Sequence, residues 1–252
     1  FKRINKNLVL SHWNEDPIMP GLDYSKRNIS NISRYSDLVD FNFITTHPSI
    51  LKRYNGNFKN FDFIFIPVDK NIECFNVYNM NPVKDLFYAM SHGVNRGVLK
   101  KGKSDDRINF LNKLIKKING INYDFYGFEN KDPIWGNNFY KSLVNSKMGL
   151  NLSRGRPAKY YSSNRIASLV GNGLLTFVDK KTQLDDFFNK NEIIFYNNIE
   201  DLADKIRFYK NNEKSRIEIA RNGKKKYFKL FNEQRITKYI TDKSFRKKTN
   251  LI

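Results

Sequence analysis

The chain has 252 residues, 40% of them hydrophobic and 15% aromatic, and sets 45 Lys and Arg against 25 Asp and Glu for a formal charge of +20. That content excludes a disordered chain and suffices to bury a core in one large domain or two small ones. The surplus of positive charge favours anionic partners such as nucleic acid, anionic lipid or a nucleoside diphosphate, or is spread over solvated lysine-rich faces. No apolar run reaches the length of a membrane span and no secretory signal opens the sequence. A lone cysteine, Cys74, rules out an internal disulfide and points to a reducing, cytoplasmic setting. The first residue is Phe, so the natural beginning is expected upstream.

In chain order, residues 8–10 read as a short apolar strand that delivers His12, Glu15 and Asp16 into the loop behind it. Such a strand end suits proton transfer, and equally suits a turn whose side chains bond to backbone and water. Residues 21–31 read as loop and contain two formal glycosylation acceptors, at Asn28 and Asn31, which are irrelevant in a cytosolic chain. Residues 38–45 and 61–67 are two further strands with a short helix over 49–54 between them, and polar residues 71–82 form a linker. Residues 86–90 open a second series of strands. The loop behind them carries Gly93, Asn95 and Arg96, where glycine lets backbone amides approach phosphate oxygens and Arg96 adds charge. Asp105 and Asp106 cap a helix whose buried face is Ile108, Leu111, Leu114, Ile115 and Ile118. A strand over 123–127 and a helix over 138–146 follow.

Residues 147–178 organise the rest. An apolar strand over 148–152 leads to a basic loop with Arg154, Arg156 and Lys159. Ser162 or Ser163 is placed to cap a helix with Ile166, Leu169 and Val170 on one face, and Gly171 and Gly173 stop it. Residues 174–178 are the next strand, so the unit is βαβ with parallel strands and a right-handed crossover. Ligands of open α/β sheets lie beyond the carboxyl ends of the strands, where this unit presents Arg154, Lys159, Ser163, Asn164 and Arg165. Free amides and fixed cations there suit a phosphate or diphosphate; the other reading is a capped surface helix beside a solvated loop. A short helix over 183–188, a strand over 192–196, amphipathic helices over 199–211 and 213–231, and a helical turn over 236–240 complete the chain. Residues 243–252 form a basic tail expected to fray.

The run Ser163-Asn164-Arg165-Ile166-Ala167-Ser168-Leu169-Val170-Gly171-Asn172-Gly173 resembles the donor-site helix of GT-B glycosyltransferases, and is most similar to the CgeB-like branch of the group 1 enzymes. Residues 146–152 and 200–223 fit the same branch, and the resemblance spans residues 80–240. Relatives carry Glu in an Arg-x-x-Glu pattern where this chain has Ser168. That carboxylate commonly holds the donor ribose, a role for which Asn164 is the substitute here.

The resemblance implies an α/β fold of two Rossmann-like domains, the N-terminal one incomplete in this chain. Residues 1–75 would form the acceptor-side domain, residues 76–235 the nucleotide-sugar domain, and residues 236–252 a helix and tail. It implies a glycosyltransferase with Gly93, Asn95, Arg96, Arg154, Lys159, Ser163, Asn164 and Arg165 at the donor. If transfer inverts the anomeric centre, His12 or Asp16 is the base; a retaining enzyme needs none. The expected partners are a nucleotide-sugar donor and a glycan, lipid-linked or protein acceptor, with peripheral contact to an anionic membrane and no nucleic acid. No cofactor or metal is expected: the Asp-x-Asp pair with which GT-A enzymes hold a divalent ion is absent, and three distant histidines with one cysteine give no zinc pattern. Two rival readings are a basic nucleic-acid-binding Rossmann-like protein and a non-catalytic relative, for which Ser168 speaks.

Overall fold

The computed structural model describes residues 3–16, 18, 23–91 and 105–251, with side chains of the first helix described from residue 26 onward. Its two parallel sheets follow one another along the chain. The smaller has the order β1-β2-β3, with β1 at Ser11–Asn14, β2 at Phe41–Ile44 and β3 at Phe61–Phe63. The larger has the order β5-β4-β6-β7-β8, with β4 at Lys84–Ala89, β5 at Tyr123–Tyr126, β6 at Ser146–Asn151, β7 at Leu175–Asp179 and β8 at Ile194–Tyr196. Every pairing in both sheets is parallel. Parallel strands need crossovers that cover both faces, which is why β4, β6 and β7 are almost wholly buried.

The helices are α1 (Asp23–Ser36), α2 (Asp106–Ile115), α3 (Gly136–Val144), α4 (Arg165–Gly171), α5 (Ile199–Asn211), α6 (Glu213–Phe231) and α7 (Glu233–Ser244). The sequence reads residues 21–31 as loop, and α1 corrects that. Its composition is polar, but Ile29 and Ile32 fall three apart and bury against Ile44, so tertiary packing outweighs weak propensity. The first strand also lies three residues later than the apolar run 8–10 predicts. The helices expected over 49–54 and 183–188 are 3-10 turns, Pro48–Arg53 and Leu184–Asp186.

The βαβ unit is formed as read, with β6 and β7 paired from Met148↔Leu175 to Asn151↔Val178. Gly149 lets α4 lie close on β6: a Cβ there would come within 2.5 Å of a Leu169 methyl. Gly173, at φ +80°, takes the left-handed turn that ends the α4 crossover. Asp105 caps α2 by accepting from the Arg107 amide at 3.0 Å, and a buried ion pair joins the two side chains at 2.7 Å.

The two halves share a core. Phe43, Phe63, Ile64, Phe65 and Ile66 from the small sheet and its exit pack with Ile166, Val170, Tyr227 and Phe231 from the large half. After α6 the chain crosses back: the Val68 amide donates to Phe231 O and the Glu233 amide to Val68 O. Helix α7 then lies on the small sheet, with Tyr239 Oη donating to Asp62 at 2.8 Å and its ring against Phe43. The terminal segment is docked rather than frayed, since Leu251 is buried and its carbonyl accepts from Arg235 Nε. Among the described residues no helix is long and apolar enough to cross a membrane.

Candidate active site

The strand order of the large sheet reverses between β4 and β6, which makes their carboxyl ends the topological switch point where open α/β sheets bind ligands. A cavity of about 580 Å³ lies there. Ala89, Met90 and Ser91 form its floor at the end of β4, and Ser163, Asn164, Arg165 and Ser168 form one wall at the start of α4. Trp135, Phe139 and Tyr140, from the loop after β5 and the start of α3, form the opposite wall. The small sheet contributes Glu15 and Asp16 from the loop after β1, so both halves of the molecule bound the cavity.

Of the residues the sequence nominates, Asp16, Ser163, Asn164 and Arg165 come together here. Arg165 is more deeply engaged than expected. Its Nε donates to Ala89 O at 2.9 Å, its Nη1 to Leu152 O at 3.0 Å and to Ser163 Oγ at 3.1 Å, and its guanidinium lies over the Tyr88 ring. It therefore ties the ends of β4 and β6 together across the switch point. Burial lowers its pKa, Tyr88 opposes that shift, and the like charge of Arg107 adds to it. A guanidinium has so high an ordinary pKa that the group stays cationic.

The expected serine cap is not formed. Ser162 Oγ accepts from Asn151 Nδ2 at 2.9 Å and Ser163 Oγ accepts from Arg165, while Asn164 occupies the cap position without a side-chain cap bond. Ser162 is thereby taken up by Asn151 at the folded end of β6, and Ser163 by Arg165 at the start of α4. Asn164 Nδ2 instead reaches across the cleft to Glu15 Oε2 at 3.4 Å, a contact between the two halves.

His12 does not line the cavity. It points to the face of the small sheet that α1 covers, its ring 5.6 Å from Tyr35 and its Nδ1 buried without a partner among the described residues. Strand alternation explains this, because His12 and Trp13 must face opposite sides of the sheet. Arg154 and Lys159 are also placed elsewhere: Arg154 lies 3.9 Å from Asp105, and Lys159 Nζ sits over the Tyr160 ring. The loop after β6 turns them away from the cleft. Gly93, Asn95 and Arg96 lie outside the described residues.

Trp135 and Tyr140 are the residues that sequence reasoning passed over, and Glu15, read from the sequence only as part of the acidic strand end, enters the cavity beside Asp16. Tyr140 is hydrogen-bonded to Ser168, the position that departs from the Arg-x-x-Glu pattern; burial raises its pKa, nearby Glu73 adds to the rise, and the Ser168 bond opposes it. The available signal was Pro133-Ile134-Trp135-Gly136, an aromatic in a strand-to-helix loop at the carboxyl edge of the sheet. Among the described residues no group of three His, Cys, Asp or Glu side chains is placed to hold a metal ion.

Two parallel Rossmann-like sheets with the last helix crossing back onto the first define the GT-B fold, and solved GT-B structures superpose on the chain at 10–16% identity. HepE of Anabaena, in complex with UDP and glucose, gives a TM-score of 0.63 at 10% identity, over 96% of this chain and 72% of that one. Sucrose-phosphate synthase from Thermosynechococcus elongatus gives 0.64 at 12% identity over 97% and 69%. TarM of S. aureus, in complex with Fondaparinux, alpha-GlcNAc-glycerol and UDP, gives 0.66 at 16% identity over 96% and 52%. Residues 107–241, more than half of the chain, match the family described as Glycosyl transferase-like, and the chain belongs to that family. No curated protein matches the sequence.

Proposed function

We propose that the chain moves a glycosyl group from a nucleotide sugar to an acceptor hydroxyl in the cleft above the β4/β6 switch point. The observation that carries this is the placement of a 580 Å³ cavity at that reversal, bounded by α4, by the aromatic loop after β5 and by the acidic loop after β1. Trp135 offers an exposed indole for the nucleobase to stack on, its side chain being more than half accessible. Ser163, Asn164 and Arg165 lie where the diphosphate would run, and the fixed charge of Arg165 would stabilise the departing nucleoside diphosphate without a metal ion. If the reaction inverts, Asp16 and Glu15 are the carboxylates facing the acceptor side; His12, on the far face of the sheet, has no such role. The solved structures of HepE and TarM in complex with UDP support a uridine donor. The acceptor class is a glycan, a lipid-linked glycan or a protein.

A thermal-shift titration with UDP, GDP, ADP, CMP and UDP-sugars, run with and without EDTA and alongside a short DNA duplex, tests the reading. A selective rise with UDP that survives EDTA is the expected result. No rise with any nucleotide, together with salt-sensitive stabilisation by DNA, would replace it with a nucleic-acid function.

A further inference from the structure

A second cavity, of about 390 Å³, adjoins the first and shares Glu15, Tyr140, Asn164 and Ser168 with it. Its charged lining is of one sign. Glu15 comes from the loop after β1, Asp69 and Glu73 from the crossing after β3, and Glu233 from the start of α7, and no Lys or Arg is among the described lining residues. In a chain with a charge of +20, three separate segments converge to make this wall acidic. Lys224, close to Glu73, does not join the lining; its Nζ is held on the carbonyls of Glu73 and Phe75 at 3.1 and 2.6 Å. The carboxylates are spread around the lining rather than gathered: Glu73 Oε2 accepts from the Asp69 amide and Asp69 Oδ1 from the Asn71 amide, and no three of them form a metal-ligating group. Trp13, 37% exposed, and Ile72, 54% exposed, supply an apolar surface in the same lining.

We propose that this second cavity is the acceptor subsite and that it selects a neutral or amino sugar ring while rejecting an acceptor that carries a carboxylate or phosphate. The inference rests on the donor reading of the first cavity, whose shared wall would bring an acceptor hydroxyl beside the donor sugar. An indole face takes the C–H surface of a sugar ring, and dispersed carboxylates accept from its hydroxyls on several sides. The same carboxylates repel an anion, so the discrimination comes from a repulsive element as well as an attractive one. An ammonium group on the ring adds attraction rather than loss.

The difference in emission between the unsubstituted protein and its Trp13→Phe variant isolates Trp13, one of the two tryptophans in the chain, and makes its fluorescence a reporter of the subsite with Trp135 left in place. In the presence of UDP, methyl glucoside and glucosamine are expected to perturb Trp13 emission saturably, and glucuronate to bind at least about tenfold more weakly at low salt. Glu233→Gln, at a partly exposed helix start, should narrow that gap, and Glu73→Gln should narrow it further where the variant folds. The subsite is overturned if glucuronate titrates as tightly as methyl glucoside, or if none of the three sugars alters Trp13 emission. The UDP-induced thermal shift in the same samples separates the two readings: a shift without a sugar response defeats the subsite alone, and no shift defeats both.

Discussion

The two sheets are built by different rules. In the five-stranded half, β4, β6 and β7 are almost wholly buried, and one core joins one of their faces to α2, α5 and α6. In the three-stranded half, the face under α1 buries polar groups that lack partners among the described residues: His12 Nδ1, Asn14 Nδ2 and both side-chain atoms of Asn42, which is register-paired with His12. Its own core is a small isoleucine-rich cluster, and its other face is completed by residues of the large half. A half with a large core of its own thus supports one whose core is completed by its neighbour, and the cleft lies where the two meet. The difference teaches that the cleft walls are not equally firm.

The largest effect should come from Phe231→Ala. This ring is fully buried among Phe65, Phe187, Phe188 and Tyr227, and its loss should cost about 3–5 kcal/mol. Because that core is shared, Trp13 in the small half and Trp135 in the large half should report one coincident, shifted unfolding transition. Separate transitions would show that the small sheet stands alone and would break the comparison.

Next comes Arg165→Ala, which takes the side-chain donor from the Ala89 carbonyl and leaves the Leu152 carbonyl with Tyr88 Oη alone as its side-chain donor. A loss of about 2–3 kcal/mol in denaturant unfolding is expected, with loss of UDP-induced stabilisation. Arg154→Ala, away from the cavity, should leave that stabilisation intact; equal effects would undo the distinction between the two arginines.

Asp85 anchors the opposite end of the large sheet. Burial alone would raise its pKa, but the Asn122 amide, Lys210 and Lys147 outweigh burial and lower it. A carboxyl whose folded value is depressed contributes stability that is present above its unfolded value and lost as pH falls through the folded one. Asp85→Asn should therefore cost about 1–2 kcal/mol at neutral pH and flatten the fall of Tm on acidification below pH 3.8, its ordinary value. An unchanged acid limb would mean that the carboxylate contributes nothing to the firmness of this half. The smallest effect is Asn198→Ala, which removes the cap that accepts from the Asp201 amide at the start of α5, at about 1 kcal/mol by thermal unfolding.

What the sequence by itself determined is local. The βαβ unit over residues 147–178, the α5 and α6 helices, and the capped helix after Asp105 follow from apolar spacing and turn residues within a few positions of one another, and the switch-point position of the cleft follows from that unit. What the tertiary structure decided is everything that depends on partners far along the chain. Helix α1 exists because Ile29 and Ile32 find Ile44. Arg165 is committed to carbonyls of β4 and β6, 76 and 13 residues away. His12 is turned from the cleft while Glu15, one loop later, enters it, and Trp135 becomes a cleft wall only because β5 lies beside β4. Spacing along a chain encodes which face of an element is buried, but not which distant element buries it; that choice is made when the sheets close on their shared core.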